Sequence, residues 1–323
     1  IAQKLVEALR VSLSRQEREL IQRRGTSNPE AYDLYLRGQA YLRDGTDSAM
    51  VPAIEFFREA IRRDERFAQA HAGLANAQAT RGLWRTGMTQ ADFDEAFAAS
   101  QRALELEPRM PEAYVARAQI LSLQVRTQEA LQNFEEALRL NPSSFEAHYL
   151  CARHCFQAGD FERAVSHYEA AQRLRPDDYQ PPCMIVGALI KLGRTEQYID
   201  AARHAMPVLE RHLLIDPNDG RALQLGTVIA ARLGLRDKAR EFAARVLEVR
   251  PDAFATYYNV ACAYSVLGDI DDALAMLDHA VRHGRGNLEW IARDPDFDSL
   301  RPDPRFDAFL DRIRAASPPD KTS

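Results

Sequence analysis

The 323-residue sequence predicts an all-α fold, a right-handed α-solenoid of about seven helix pairs with a helical N-terminal lead-in and C-terminal capping helices. Three observations carry this. Pro108, Pro142 and Pro176 fall 34 residues apart, a period that belongs to stacked helical repeats. Within that period alanine returns at Ala118 and Ala152, at Ala130 and Ala164, and at Ala137 and Ala171, with Phe134 and Tyr168 between the last two pairs. Apolar and small residues keep helical rather than strand spacing, as Tyr114, Ala118 and Leu121 in one copy and Tyr149, Ala152 and Phe156 in the next. A pair of this kind has one apolar face that it cannot bury alone, so stacking neighbours completes the core.

Taken in order, residues 1–28 read as a lead-in from an upstream domain, with Leu5, Leu9 and Leu13 one turn apart. Thr26 to Glu30 cap the first repeat, with Pro29 in the first turn, where its missing N–H costs nothing. The array is expected over 29–284, as repeats 29–65, 66–108, 109–142, 143–176, 177–217, 218–251 and 252–284. In the first repeat Leu34, Gly38 and Tyr41 match Ala53, Phe57 and Ala60, and Glu65 stands where other copies close on proline. The second contains the long connection Gly82 to Met88, whose Trp84 either folds onto the core or stays available to a partner. In the clean copies Pro142 ends a helix, Ser143 with Glu146 is expected to cap the next, and Gly159 supplies a left-handed residue at a helix end. The fifth repeat is seven residues longer, close to two helical turns, so its buried face stays aligned. Pro207 should kink that long helix. The sixth carries Gly234, Ala239 and Val246, and the seventh Tyr258, Ala261, Gly268 and Ala273. Residues 285–314, from Trp290 to the stripe Phe306, Phe309, Leu310 and Ile313, read as a cap over the last repeat, and 315–323 as a disordered tail.

The alanine, aromatic and proline pattern resembles the tetratricopeptide repeat. Ala31 to Gly38, Tyr258 to Tyr264 and Asp294 to Phe306 are further similar to the repeat arrays at the C-terminal end of multidomain bacterial signalling proteins. In that group the N-terminal part is a class III nucleotide cyclase, a Ser/Thr kinase, a winged-helix regulator or a TolB-like domain. The resemblance implies a scaffold or regulatory module that binds a protein segment in a concave groove. It equally allows an array that selects substrates or partners for a cyclase or kinase outside this chain, or a ligand-sensing arm of a transcription regulator.

Composition narrows these classes. The formal charge is −5 and the basic residues are scattered, which argues against nucleic acid as a partner. No apolar run approaches the ~18 residues of a membrane span. The start, Ile-Ala-Gln-Lys, has neither Met nor signal-peptide form, so the chain is read as a cytoplasmic piece of something longer. Cys151, Cys155, Cys183 and Cys262 occupy helical positions and read as reduced, buried thiols. No phosphate-binding loop, GxSxG elbow or HExxH motif occurs, so no enzyme within this chain and no cofactor is expected. His148, Cys151 and Cys155 share one helical face, but they follow the packing stripe and three ligands fall short of a structural zinc site. Asp294, Asp296 and Asp298 imitate the start of a calcium loop. Ser299 and Arg305 then stand where that loop needs Gly and Glu, so pairing with Arg293, Arg301 and Arg305 is expected instead.

The face of each first helix opposite its packing slots is expected to line the groove. It gathers Tyr35, Gln39, Asn76, Gln119, Tyr149, Arg153, Arg221, Gln224, Tyr258 and Cys262. Tyrosine and arginine are enriched at binding hot spots. The Lys/Asn clamp by which related arrays hold chaperone C-termini is absent, with Val115 and Gln119 at its first two places in repeat three. The expected partner is an extended segment of another protein, or the upstream domain itself.

Overall fold

In a computed structural model of the chain, residues 25–44, 47–84, 88–252, 254–283, 291–292 and 294–316 are described. The lead-in before Gly25, Trp290, Arg293 and the side chain of Trp84 lie outside the described residues. The described segments are helical, with no strand among them. In chain order come α1 (Pro29–Asp44) paired with α2 (Asp47–Arg63), α3 (Ala68–Trp84) with α4 (Gln90–Leu106), and α5 (Pro111–Leu123) with α6 (Thr127–Leu140), followed by α7 (Phe145–Gln157) and α8 (Phe161–Leu174). Then come α9 (Gln180–Lys191) with α10 (Thr195–Ile215), α11 (Gly220–Arg232) with α12 (Arg236–Val249), and α13 (Phe254–Val266) with α14 (Ile270–Ala280). A 3-10 turn, Pro295–Phe297, and α15 (Pro304–Ala316) close the chain. It divides into two compact units, Ile1–Asp160 and Phe161–Ser323, each described by itself below.

Within each unit the first helices form one row and the second helices another. In the first unit α3 packs on both α1 and α5, and α5 on α7. In the second, α11 packs on α9 and α13. Small residues set these approaches. Ala130, Ala164, Ala239 and Ala273, which the period marks as packing slots, have no exposed surface. In the first unit the ring of Phe57 sits against Gly38 and Gly73, where an added Cβ would lie 2.8 and 2.5 Å from it. Phe57 is itself fully buried, among Ala53, Leu74, Ala75 and Ile120. Arg58 on α2 spans to Glu95 on α4 through two hydrogen bonds of 2.9 and 2.7 Å, and Gln78 on α3 donates to the same carboxylate.

The turns between paired helices repeat one backbone solution. Gly159, Gly193, Gly234 and Gly268 have φ between +67° and +82°, the left-handed region in which a side chain would be strained. Val125, 34 residues before Gly159, holds the same place in the third pair at φ 60°. It is the one non-glycine residue with positive φ among those described.

One local expectation needs correction. The cap of α7 is Ser144, whose hydroxyl accepts from the Ala147 N–H at 3.2 Å. Ser143 lies one residue before that cap, in the turn where Asn141 Oδ1 accepts its N–H at 3.1 Å. The long helix α10 runs its 21 residues without interruption through Pro207, which faces solvent. At the C-terminus Phe297, Phe306 and Phe309 are buried against Tyr258, Leu277 and Ala280, so the segment covers the last pair.

Candidate binding face of the first helices

One tie recurs where the second, third and fourth repeats begin. His71 Nε2, Tyr114 Oη and His148 Nε2 each bond the main-chain carbonyl six residues earlier, those of Glu65, Pro108 and Pro142, at 3.0, 3.3 and 3.1 Å. This explains how Glu65 stands in for proline: the junction needs a carbonyl in the right place, and any residue supplies one. It also accounts for His148, whose ring is tied to the repeat junction while Cys151 and Cys155 are buried in the core outside any disulfide.

With the register fixed in this way, the residue after the small packing residue falls at one place on every first helix. In the first unit that place holds Gln39 after Gly38, Asn76 after Ala75, Gln119 after Ala118 and Arg153 after Ala152. Gln39, Asn76 and Arg153 are half-buried. Gln39 Nε2 donates to Tyr35 Oη at 3.2 Å, and Asn76 Oδ1 accepts from Thr80 at 3.5 Å. Gln119 is 4 % exposed, and its side-chain carbonyl has no hydrogen-bond partner among the described residues. Tyr35 packs against the rings of Phe57 and Phe67, and burial, reinforced by the nearby Glu112 carboxylate, pushes its phenol pKa up. Tyr149 is buried and stacks on Phe145 with ring centroids 5.8 Å apart.

The corresponding face of the second unit is built differently. Gln224 is buried, and its amide donates to Thr256 Oγ1 at 2.9 Å, tying α11 to α13. Arg221 reaches the Met184 sulfur at 3.7 Å. Tyr258 and Cys262 are covered by the C-terminal turn. Asp294 is buried, accepts from Tyr258 Oη at 2.7 Å and lies 3.5 Å from Lys191 Nζ. Asp296 pairs with Arg232, and Asp294 Oδ1 also takes the Asp296 N–H as the cap of the 3-10 turn. Burial raises the Cys262 thiol pKa, and the carboxylates of Asp296 and Asp294 add to the effect. Burial also opposes the charge on Arg232, but the Asp296 carboxylate outweighs it and the guanidinium pKa rises. Of the pairings expected for this acidic run, Asp298 with Arg301 forms at 2.9 Å, whereas Arg305 goes to Asp303 and Asp271.

Two groups of metal-capable side chains escaped sequence reasoning, because residues far apart in the chain or beyond a helix end compose them: His212, Asp216 and Asp219, and Cys262, Asp294 and Asp296. The protein already employs their acceptors. Asp219 caps α11 through the N–H groups of Arg221 and Ala222 and accepts from Tyr179 and His212, both at 2.8 Å. Burial raises its carboxyl pKa, and these four hydrogen bonds together bring it below the usual value.

Rows of paired helices closed by a cap define an all-α repeat scaffold, a fold that supports binding of other proteins. Residues 124–179 match the family model of the tetratricopeptide repeat, so the chain carries repeats of this kind there. Its fold is also that of a tetratricopeptide repeat protein from Parabacteroides merdae, at 15 % identity and a TM-score of 0.50 over 84 % of this chain and 98 % of that one. Over 80 residues it is 35 % identical to a chloroplastic protein of Arabidopsis thaliana, covering 24 % of each chain. Over 133 residues it is 32 % identical to putative adenylate cyclase 3 of Rhizobium meliloti, covering 40 % of this chain and 22 % of that protein. The chain thus spans about a quarter of the length of these two relatives. None of the described helices is long and apolar enough to cross a membrane.

Proposed function

We propose that the chain is the interaction module of a bacterial cytoplasmic signalling protein and binds a protein segment along the first helices of its first unit. The observation that carries this is the contrast between the two units. In the second, Asp294 to Phe297 cover the first-helix face at Tyr258 and Cys262, and Gln224 is engaged by Thr256. In the first, Gln39, Asn76 and Arg153 bring half-buried polar side chains to the one register that Gly187, Val228 and Cys262 hold in the second. A single mixed row of amides and a guanidinium suits a polar, extended partner better than a nucleic acid, given the net charge of −5. The test is selection of random peptides of about fifteen residues, long enough to span the row, on the immobilised chain. Enriched peptides should bind the parent, and binding should be lost in Asn76→Ala with Arg153→Ala while the circular dichroism melt stays intact. Tyr149 is left unaltered, since its stacking on Phe145 ties it to packing. Full binding by the folded double variant would place the surface elsewhere, and failure to enrich any peptide would reject the reading.

The similarity to a putative adenylate cyclase favours a second reading, in which the array selects substrates or partners for a catalytic domain outside this chain. That reading predicts that the isolated chain, added in trans, competes with the intact protein for its partner and lowers output, and it fails if output does not change.

A further inference from the structure

We propose that the junction of α10 and α11 binds a divalent transition ion of the Zn2+ class, held by His212, Asp216 and Asp219 with water at the remaining positions. The site lies in the second unit and does not depend on the function proposed above. Its first mark is a break in the repeat rule. Five residues before the closing proline the other proline-closed repeats carry Ala103, Ala137, Ala171 and Val246, none with exposed surface, and the fifth carries His212. An imidazole thus stands, half-buried and with its ring centroid 4.4 Å from that of Tyr179, where packing asks for a small apolar residue. A local rule broken in this way points to a role other than packing.

Geometry and charge supply the rest. One ligand atom from each of the three residues lies within 4.8 Å of the other two. The bonds Asp219 already makes hold it in place: Oδ1 accepts the N–H groups of Arg221 and Ala222 at 2.9 and 3.1 Å, and Oδ2 faces Tyr179 Oη and His212 Nε2, both at 2.8 Å. An ionised carboxylate only accepts, so a proton sits between Oδ2 and Nε2. The ion takes that place, and the ring keeps its proton on Nδ1. Asp216 is exposed and accepts only the Asn218 N–H, at 3.3 Å, which leaves its second oxygen for the ion. Around Cys262, Asp294 and Asp296 the protein supplies its own cations, Lys191 and Arg232. Among the described residues no Lys or Arg pairs with Asp216 or Asp219; the nearby Arg245 bonds the Pro217 carbonyl at 2.6 Å and pairs with Glu241. Two carboxylates beside the negative end of the α10 dipole therefore have room for a cation. One imidazole with two carboxylates suits Zn2+ better than Mg2+ or Ca2+, which favour all-oxygen shells, and three protein ligands plus water make an open zinc site.

The experiment titrates Zn2+ into the whole chain by isothermal calorimetry, after treatment with a chelator and in reducing buffer, with Mg2+ and Ca2+ in parallel arms. The expected result is saturable uptake of one Zn2+ per chain and a melting temperature raised by saturating Zn2+, with no comparable binding of Mg2+ or Ca2+. His212→Ala places there the residue type found at Ala137 and Ala171, and Asp216→Asn alters an exposed side chain, so both variants should keep the circular dichroism spectrum of the parent. Each should weaken Zn2+ binding at least about tenfold, roughly 1.4 kcal/mol, and lose the rise in melting temperature. No saturable uptake by the parent, a preference for Mg2+ or Ca2+, or Zn2+ binding unchanged in either folded variant overturns the proposal.

Discussion

The turn at Val125 gives a test of the repeat register in which almost nothing but backbone conformation changes. Val125 is 82 % exposed with φ 60°, while the matching Gly159 has φ +82° and nothing within 4 Å of an added Cβ. A left-handed L-residue costs about 1–2 kcal/mol, and a β-branched one lies at the upper end of that range. Val125→Gly removes this strain but adds about 0.4–1 kcal/mol of chain entropy to the unfolded state. Little burial is lost, since the side chain faces water. The net expectation is stabilisation by about 1 kcal/mol, and Gly159→Val should destabilise by a similar amount for the same reason. Equilibrium urea unfolding followed by circular dichroism reads both. If repeats unfold in separate steps, the shift should appear in the transition of the first unit, which is how a solenoid with nearest-neighbour coupling behaves. Val125→Gly lowering stability, with Gly159→Val neutral, would refute the equivalence of the two turns.

Further tests address packing, charge and the cap. Ala164→Leu, at a position with no exposed surface, should cost roughly 1–3 kcal/mol by overpacking, whereas Arg139→Leu on an exposed side chain should change the melting temperature little; equal melts would dissolve the assigned slots. His154 is buried, with Nε2 bonded to the Thr127 carbonyl and Nδ1 to Ser122, and burial lowers its pKa. A depressed folded pKa means that its contribution is complete above about pH 6.5 and is lost as pH falls through the folded value. His154→Gln should therefore flatten the decline in melting temperature between about pH 7.5 and about pH 5, and an unchanged slope would contradict the assignment. Truncation after His283 removes Phe297, Phe306 and Phe309 from Tyr258 and Leu277, and should make the protein self-associate in light scattering; a monomer as soluble as the parent would count against a capping role.

Helix pairs, alanine slots and the aromatic cap are each encoded within about one repeat, so spacing alone reveals them in the sequence. The depth of Gln119 and Tyr149 is not encoded there, because neighbouring helices, and not the helix's own pattern, determine how much of that face stays open. The buried cluster around Asp294 was hidden for a stronger reason. Asp294 meets Lys191 across 103 residues and Asp296 meets Arg232 across 64, and neither separation is a multiple of the period. Likewise, the junction tie from His148 to Pro142 is local but uses a main-chain acceptor, so residue types alone placed His148 on the packing stripe instead.

If the first helices of the first unit form the binding face, a bound segment must shield them and leave the second helices as they were. Hydrogen exchange on the intact chain, with and without its selected peptide, reads this shielding helix by helix. The expected result is added protection in α1, α3, α5 and α7, with α2, α4, α6 and the second unit unchanged. Protection confined to the second helices, or to residues beyond Phe161, would contradict it.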